Sequence, residues 1–230
     1  MDFLIQTIND EILFDFQWEL IQAIKGTNWL RNEIVYEYIL SAIDVPDCIP
    51  IGSVEFTLNY MKKYYNKEIK PIQIPSILFK EQYLKRECKI LHSSKLNITE
   101  PTFVKSIDTI KGFTQIVNKG WEIPEGNYFI SQVIDIESEW RAFIYKNELV
   151  GLQNYSGDFT LFPDVNLIKE IIYNYKESPK AYTLDVGINS KGTFVIEIQS
   201  IFSCGLYGFS DHQLLPLMYK SWFKECVNEI

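Results

Sequence analysis

Ala181-Tyr182-Thr183-Leu184-Asp185-Val186-Gly187-Ile188-Asn189-Ser190-Lys191-Gly192-Thr193-Phe194-Val195-Ile196-Glu197-Ile198-Gln199-Ser200 is the stretch that decides the fold. Two apolar, β-branched runs flank a short polar segment ending in glycine, which is the pattern of a β-hairpin. Side chains alternate along a strand, so Glu197 and Gln199 share one face. The turn decides whether Asp185 joins them. A two-residue turn, Ser190-Lys191, would set Asp185 opposite Ile196. A three-residue loop ending in Gly192 sets it opposite Glu197, and glycine suits the left-handed third position of that loop. The sequence therefore favours two carboxylates and an amide on one face. Facing carboxylates repel. A divalent cation would remove that cost, and such oxygen ligands suit magnesium carrying phosphates. Alternation alone describes equally well a hairpin with one ordinary solvated face.

Outward from this hairpin the C-terminal half is rich in strands. Glu139 to Tyr145 and Glu148 to Tyr155 predict a second hairpin around Lys146-Asn147, with Tyr128 to Val133 and Thr102 to Lys105 as further strands. A short helix is expected over Asn166 to Lys176, and a closing helix over Asp211 to Val227. The N-terminal third alternates strand and helix: a buried strand at Phe3-Leu4-Ile5, a helix over Phe14 to Ile24 stopped by Gly26, and an apolar stretch over Glu33 to Ser41. Cys48 to Ser53 reads as a strand end turning into a helix capped by Ser53. Pro71 and Pro75 then break the pattern. The fold class is α+β, with antiparallel sheet in the C-terminal half.

Composition narrows the function. The chain has 230 residues, 47% of them hydrophobic and 15% aromatic, enough for a real core. Twenty-two basic against 30 acidic residues give a net charge of −8, which disfavours a nucleic-acid partner that would want a basic face. No apolar run approaches the ~20 residues of a membrane span. The N-terminus lacks the basic region of a signal peptide. Cys48, Cys88, Cys204 and Cys226 are scattered without CxxC spacing, so free thiols and a cytoplasmic location are expected. His92 and His212 are the only histidines, too few for a histidine-rich zinc site.

Other residues carry potential chemistry. Glu139 and Arg141 share a strand face, and an arginine there would clamp phosphate. The same two residues also fit a surface ion pair of little energetic weight. Lys105 ends a strand, and Lys111-Gly112-Phe113 follows a short loop, where lysines would meet phosphate oxygens or simply be solvated. There is no P-loop motif. Lys105-Ser106-Ile107-Asp108 also lacks the glycine of covalent nucleotidyl transferases. Cys204 has no histidine placed as a base by any recognisable pattern.

In order, these pieces resemble the ATP-grasp superfamily of ATP-dependent ligases, and more narrowly the clade named for a lysine replacing a usual arginine. Ile49-Pro50-Ile51-Gly52-Ser53-Val54-Glu55-Phe56 resembles its pre-ATP-grasp stretch. Phe103-Val104-Lys105, Lys111-Gly112-Phe113, Glu139-Trp140-Arg141, Asp185, Glu197-Ile198-Gln199 and Ser203-Cys204-Gly205-Leu206-Tyr207 follow in the family's order. Gln199 stands where asparagine is usual, Ser106 where proline is common, and Gln132 where a glutamate often precedes the adenine hinge. The resemblance implies a pre-ATP-grasp α/β segment over 1–90 and an ATP-grasp domain over 91–230, two α+β subdomains gripping ATP. It implies Lys105 and Lys111 on phosphates and Ser131, Gln132 and Val133 at adenine, with Glu139 beside the nucleotide. Arg141 would stabilise the transferred phosphate. Asp185, Glu197 and Gln199 would hold Mg2+. The implied reaction makes an acyl phosphate on a small-molecule or peptide carboxylate, then admits an amine or thiol. A nucleotide-binding module without ligation is the alternative.

Overall fold

A computed structural model describes residues 2–228. The chain begins with β1 (Phe3–Gln6), α1 (Asp15–Arg31), β2 (Tyr38–Ser41), β3 (Ile49–Ile51) and α2 (Val54–Tyr65). The three strands form a parallel sheet in the order β2-β1-β3. Parallel neighbours need crossovers, and α1 is the crossover from β1 to β2. Ser53 caps α2 as expected, accepting from the Phe56 amide at 3.1 Å.

Gly26 does not stop α1. The helix runs to Arg31 and ends at Asn32, whose backbone is left-handed at φ 52°. The glycine instead permits a close approach: a Cβ there would lie 3.2 Å from Nδ1 of His212. The next residue, Thr27, donates its hydroxyl to the His212 carbonyl at 2.7 Å. Glycine within this helix marks packing rather than an end.

After the proline-containing segment come α3 (Glu81–Leu84), β4 (Cys88–His92), β5 (Thr102–Ser106), β6 (Thr114–Val117) and β7 (Asn127–Gln132). These strands form an antiparallel sheet in the order β4-β7-β5-β6. The expected boundary at residue 90 falls inside β4, which pairs with β7. Then follow β8 (Ser138–Tyr145), β9 (Glu148–Gly157), α4 (Val165–Asn174), β10 (Ala181–Asn189), β11 (Gly192–Ser200) and α5 (Leu214–Asn228). The second antiparallel sheet has the order β11-β10-β8-β9. Lys146 and Asn147, at φ 49° and 65°, make the two-residue turn of the β8–β9 hairpin in the mirror-image geometry that matches strand twist.

One core joins Phe3 and Ile5 of the parallel sheet, Leu20 and Ile24 of α1, Phe143 and Ala181 of the second antiparallel sheet, and Met218 and Trp222 of α5. The other face of that sheet, through Ala142, Ile144 and Leu184, packs on Ile168, Ile171 and Ile172 of α4. Among the described residues no helix is long and apolar enough to cross a membrane.

The deciding hairpin reaches the expected pairing by another route. Gly192 is left-handed at φ 94°, but it pairs with Asn189, leaving the two-residue turn Ser190-Lys191. The register is then Val186 opposite Val195, and a bulge beside Val186 shifts it so that Asp185 faces Glu197. Ile196 is the extra residue. A bulge re-aims the side chains beyond it, so the bulge and not the loop length brings the carboxylates to one face.

Candidate functional site

A cleft of about 470 Å3 opens between β5 and β7 on one side and β11 on the other. Phe103, Phe129, Ile74 and Ile198 give it apolar walls, and Lys105, Lys111, Glu197 and Gln199 bring polar groups to it. Such a pocket, mostly apolar with a few convergent polar groups, is the usual form of a small-ligand site.

Lys105 extends from β5 to form an ion pair with Glu197 of β11. The pair crosses from one sheet to the other. Burial holds the Lys105 ammonium below lysine's usual range, while the nearby Asp185 carboxylate pulls it back up. Gln199, two residues along β11, donates its side-chain amide to Glu197. Lys111 is an exposed residue in left-handed backbone, φ 54°, at the cleft rim.

Asp185 stands differently from the sequence expectation. It is 1% exposed, and Arg141 grips both its oxygens, from Nε at 2.8 Å and from Nη2 at 2.7 Å. Register explains this, because Arg141 of β8 lies directly opposite Asp185 of β10. Arg141 Nη1 donates to the Gly205 carbonyl at 2.9 Å. The guanidinium lies 5.5 Å from the ring centre of Tyr155 and 5.0 Å from that of Tyr207. Burial opposes the charge on Arg141, yet the paired Asp185 carboxylate holds it above even arginine's usual range. The expected repulsion between Asp185 and Glu197 is thus answered by two protein cations, Arg141 and Lys105, without calling on a metal.

Glu139, expected beside the nucleotide, accepts the Tyr155 hydroxyl at 2.8 Å and is not among the residues lining the cleft. Ser131, Gln132 and Val133 all line it. Ser131 and Gln132 lie within the ladder between β4 and β5, however. Val133 is the first of the three to stand beyond the end of β7. Of the three, its backbone alone lies outside the strand ladder.

The cleft's chemistry fits a nucleoside triphosphate: apolar walls at one part, cations and oxygen donors at another. For a divalent cation, Glu197 and Gln199 supply oxygens, whereas Asp185 is committed to Arg141. Among the described residues no group of three or more His, Cys, Asp or Glu forms a cage. Magnesium carried on phosphates needs only one or two carboxylates and keeps several waters, so this modest donor set fits it.

Sequence reasoning missed Arg86, which lines the same cleft and is 8% exposed. A signal was present. In a chain whose cations are mostly lysine, the arginines are Arg31, Arg86 and Arg141, and both buried ones, Arg86 and Arg141, stand at or beside this site. Cys204 is no nucleophile: it is buried, donates to the Ile201 carbonyl at 3.3 Å, and burial pushes its thiol up to about 11.

Two antiparallel sheets meeting at a cleft lined by lysines, Glu197 and Gln199 agree with the arrangement of the ATP-grasp superfamily. The chain belongs to that superfamily: residues 83–217 match the second family of ATP-grasp domains in the clade where lysine replaces the usual arginine. No curated protein matches the sequence. Among solved structures, the D-alanine–D-alanine ligase of Bacillus anthracis complexed with ATP is similar with a TM-score of 0.56 at 12% identity, covering 100% of this chain and 98% of that one. A RimK domain ATP-grasp protein of Sphaerobacter thermophilus DSM 20745 gives a TM-score of 0.55 at 13% identity, over 99% and 100% of the two chains. An N5-carboxyaminoimidazole ribonucleotide synthetase of Thermotoga maritima gives 0.54 at 13%, over 96% and 75%. At these identities the likeness is one of fold.

Proposed function

We propose that the chain is a cytoplasmic ATP- and magnesium-dependent ligase that joins a carboxylate to an amine, or to a thiol, through an acyl phosphate. The observation that carries this reading is the Lys105–Glu197 pair across the cleft. One strand from each sheet brings a phosphate-binding cation and a metal-binding carboxylate to the same place. Phosphoryl transfer needs mainly positioning and charge neutralisation. Lys105 and Lys111 would meet phosphate oxygens, with Ser131, Gln132 and Val133 against adenine. Magnesium, held by Glu197 and Gln199, would supply further neutralisation of the phosphates. Asp185 fixes Arg141, and through it the Gly205 loop, so that Arg141 reaches a transferred phosphate only by loosening that grip. The name of the similar D-alanine–D-alanine ligase favours an amino acid or peptide as substrate.

The test is ADP release across a panel of amino acids and peptides. Acceptor-dependent release that Glu197→Ala abolishes supports the reading, and unchanged turnover in that variant sinks the metal assignment. A second reading, nucleotide binding without transfer, is favoured by the mutual pairing of Arg141 with Asp185 and Lys105 with Glu197. It predicts nucleotide binding with no ADP formed by any acceptor.

A further inference from the structure

Arg86 lies just past α3 and is tied to three parts of the molecule. Its Nε donates to the Ser131 hydroxyl at 3.3 Å. Its Nη1 donates to the carbonyls of Leu84 at 3.0 Å and Val195 at 2.9 Å. The guanidinium rests 5.5 Å from the ring centre of Phe194. Every one of these partners is neutral. Among the described residues no carboxylate pairs with Arg86, and its Nη2 donates to no protein atom. Nη2 is also not sealed away, since among the described residues the buried side-chain polar atoms without partners are the hydroxyls of Tyr182, Thr183 and Tyr219. Arg86 lines the cleft.

A guanidinium so deeply buried is costly without an anion. Burial already lowers its affinity for the proton, opposed only in part by the Cys88 thiol and by no carboxylate. Of the other cations at or beside the cleft, Lys105 is paired with Glu197 and Arg141 with Asp185, while Lys111 stands exposed at the rim. Arg86 is held rigidly by its neutral partners and presents a vacant donor. Its place is set by register: Ser131 pairs with Phe103, and Lys105 lies two residues further along β5, roughly 7 Å away at the usual rise of a strand.

We propose that Arg86 is a preorganised phosphate-binding residue of the cleft, its free Nη2 donating to a phosphate oxygen of the bound nucleotide. The proposal rests on the nucleotide reading above and adds to Lys105 and Lys111 a buried anchor whose position is already fixed before the Lys105–Glu197 pair opens. Its geometry is fixed in advance, so it pays little ordering cost on binding.

The test compares ADP with adenosine, measured by calorimetry on the wild type and on Arg86→Met. Phosphate binding by Arg86 predicts that the substitution lowers the affinity ratio of ADP to adenosine by about tenfold to a hundredfold, the range of hydrogen bonds to charged groups, and leaves adenosine affinity unchanged. An unchanged ratio would overturn the proposal and leave Arg86 a strut between α3, β7 and β11. An equal loss for both ligands would overturn it in favour of a contact to the base. Wild type that binds neither ligand would instead overturn the nucleotide reading itself, and this proposal with it. If Arg86→Met does not fold, the 15N guanidinium resonances of Arg86 in the wild type decide. A shift with ADP and none with adenosine supports phosphate contact, and identical spectra with the two ligands refute it.

Discussion

Asp185 illustrates what a buried carboxylate requires. It is held by two charge-assisted bonds from Arg141, which itself lies against the stacked rings of Tyr155 and Tyr207. Removing one member leaves the other charged and unpaired in the interior. Arg141→Met is therefore expected to cost about 3–5 kcal/mol of stability, and the double variant Arg141→Met, Asp185→Leu to recover much of it. Urea denaturation of the three proteins checks this; a single variant as stable as wild type would show the pair to be unimportant. At Cys204 the raised thiol, about 11, and full burial predict no reaction with a thiol reagent at pH 8 in the native state. Rapid labelling of Cys204 ahead of unfolding would contradict that. Residue identities at the site were partly legible in the sequence. Lys105, Lys111, Glu197 and Gln199 do meet at one cleft. Arg86 was hidden because the local context Lys85-Arg86-Glu87 does not distinguish a buried arginine from a solvated one, and only the scarcity of arginine in the chain singled it out. The commitment of Arg141 to Asp185 was hidden because the β8–β10 pairing is non-local.

Among the elements, the β10–β11 hairpin shows how register rests on small features. Gly192 is left-handed, and the nearest atom to an added Cβ would be Lys85 Cε at 3.9 Å. Space is available, so Gly192→Ala costs only the backbone conformation, about 1 kcal/mol. Thermal denaturation would show this as a modest loss. A larger loss would mean that the turn also holds the bulge. Asp108 ties the loop after β5 to the start of β7. It accepts the Asn127 amide at 2.7 Å, and that bond, with the Asn127 side chain, holds its carboxyl below the ordinary aspartate value of 3.8. A carboxyl depressed in the folded state stabilises fully above its unfolded pKa and stops doing so as pH falls through its folded one. Wild type should therefore lose melting temperature below about pH 4 more steeply than Asp108→Asn; parallel curves would remove Asp108 from the acid response. Strands bounded by polar turns were legible here. The strands β4 and β6 were not: each is short, lacks clean alternation, and owes its form to pairing with β7 and β5.

Over the whole molecule, hydrophobic patterning set the α+β class and the order of helices and strands. The packing of the parallel sheet and α1 against α5 and the second antiparallel sheet in one core was beyond its reach. That packing leaves the cleft between the two antiparallel sheets as the place where chemistry-bearing residues from distant parts of the chain converge. The central claim is that this cleft binds ATP with magnesium, and a thermal shift of the whole protein with ATP, with and without Mg2+, tests it most directly. A ligand that binds only the folded state must raise the melting temperature, by about 5–10 °C at a hundredfold excess over Kd for a chain of this length. The expected result is a rise with ATP that magnesium enlarges, and that enlargement should vanish in Glu197→Ala. No shift with any nucleotide, with or without magnesium, would contradict it.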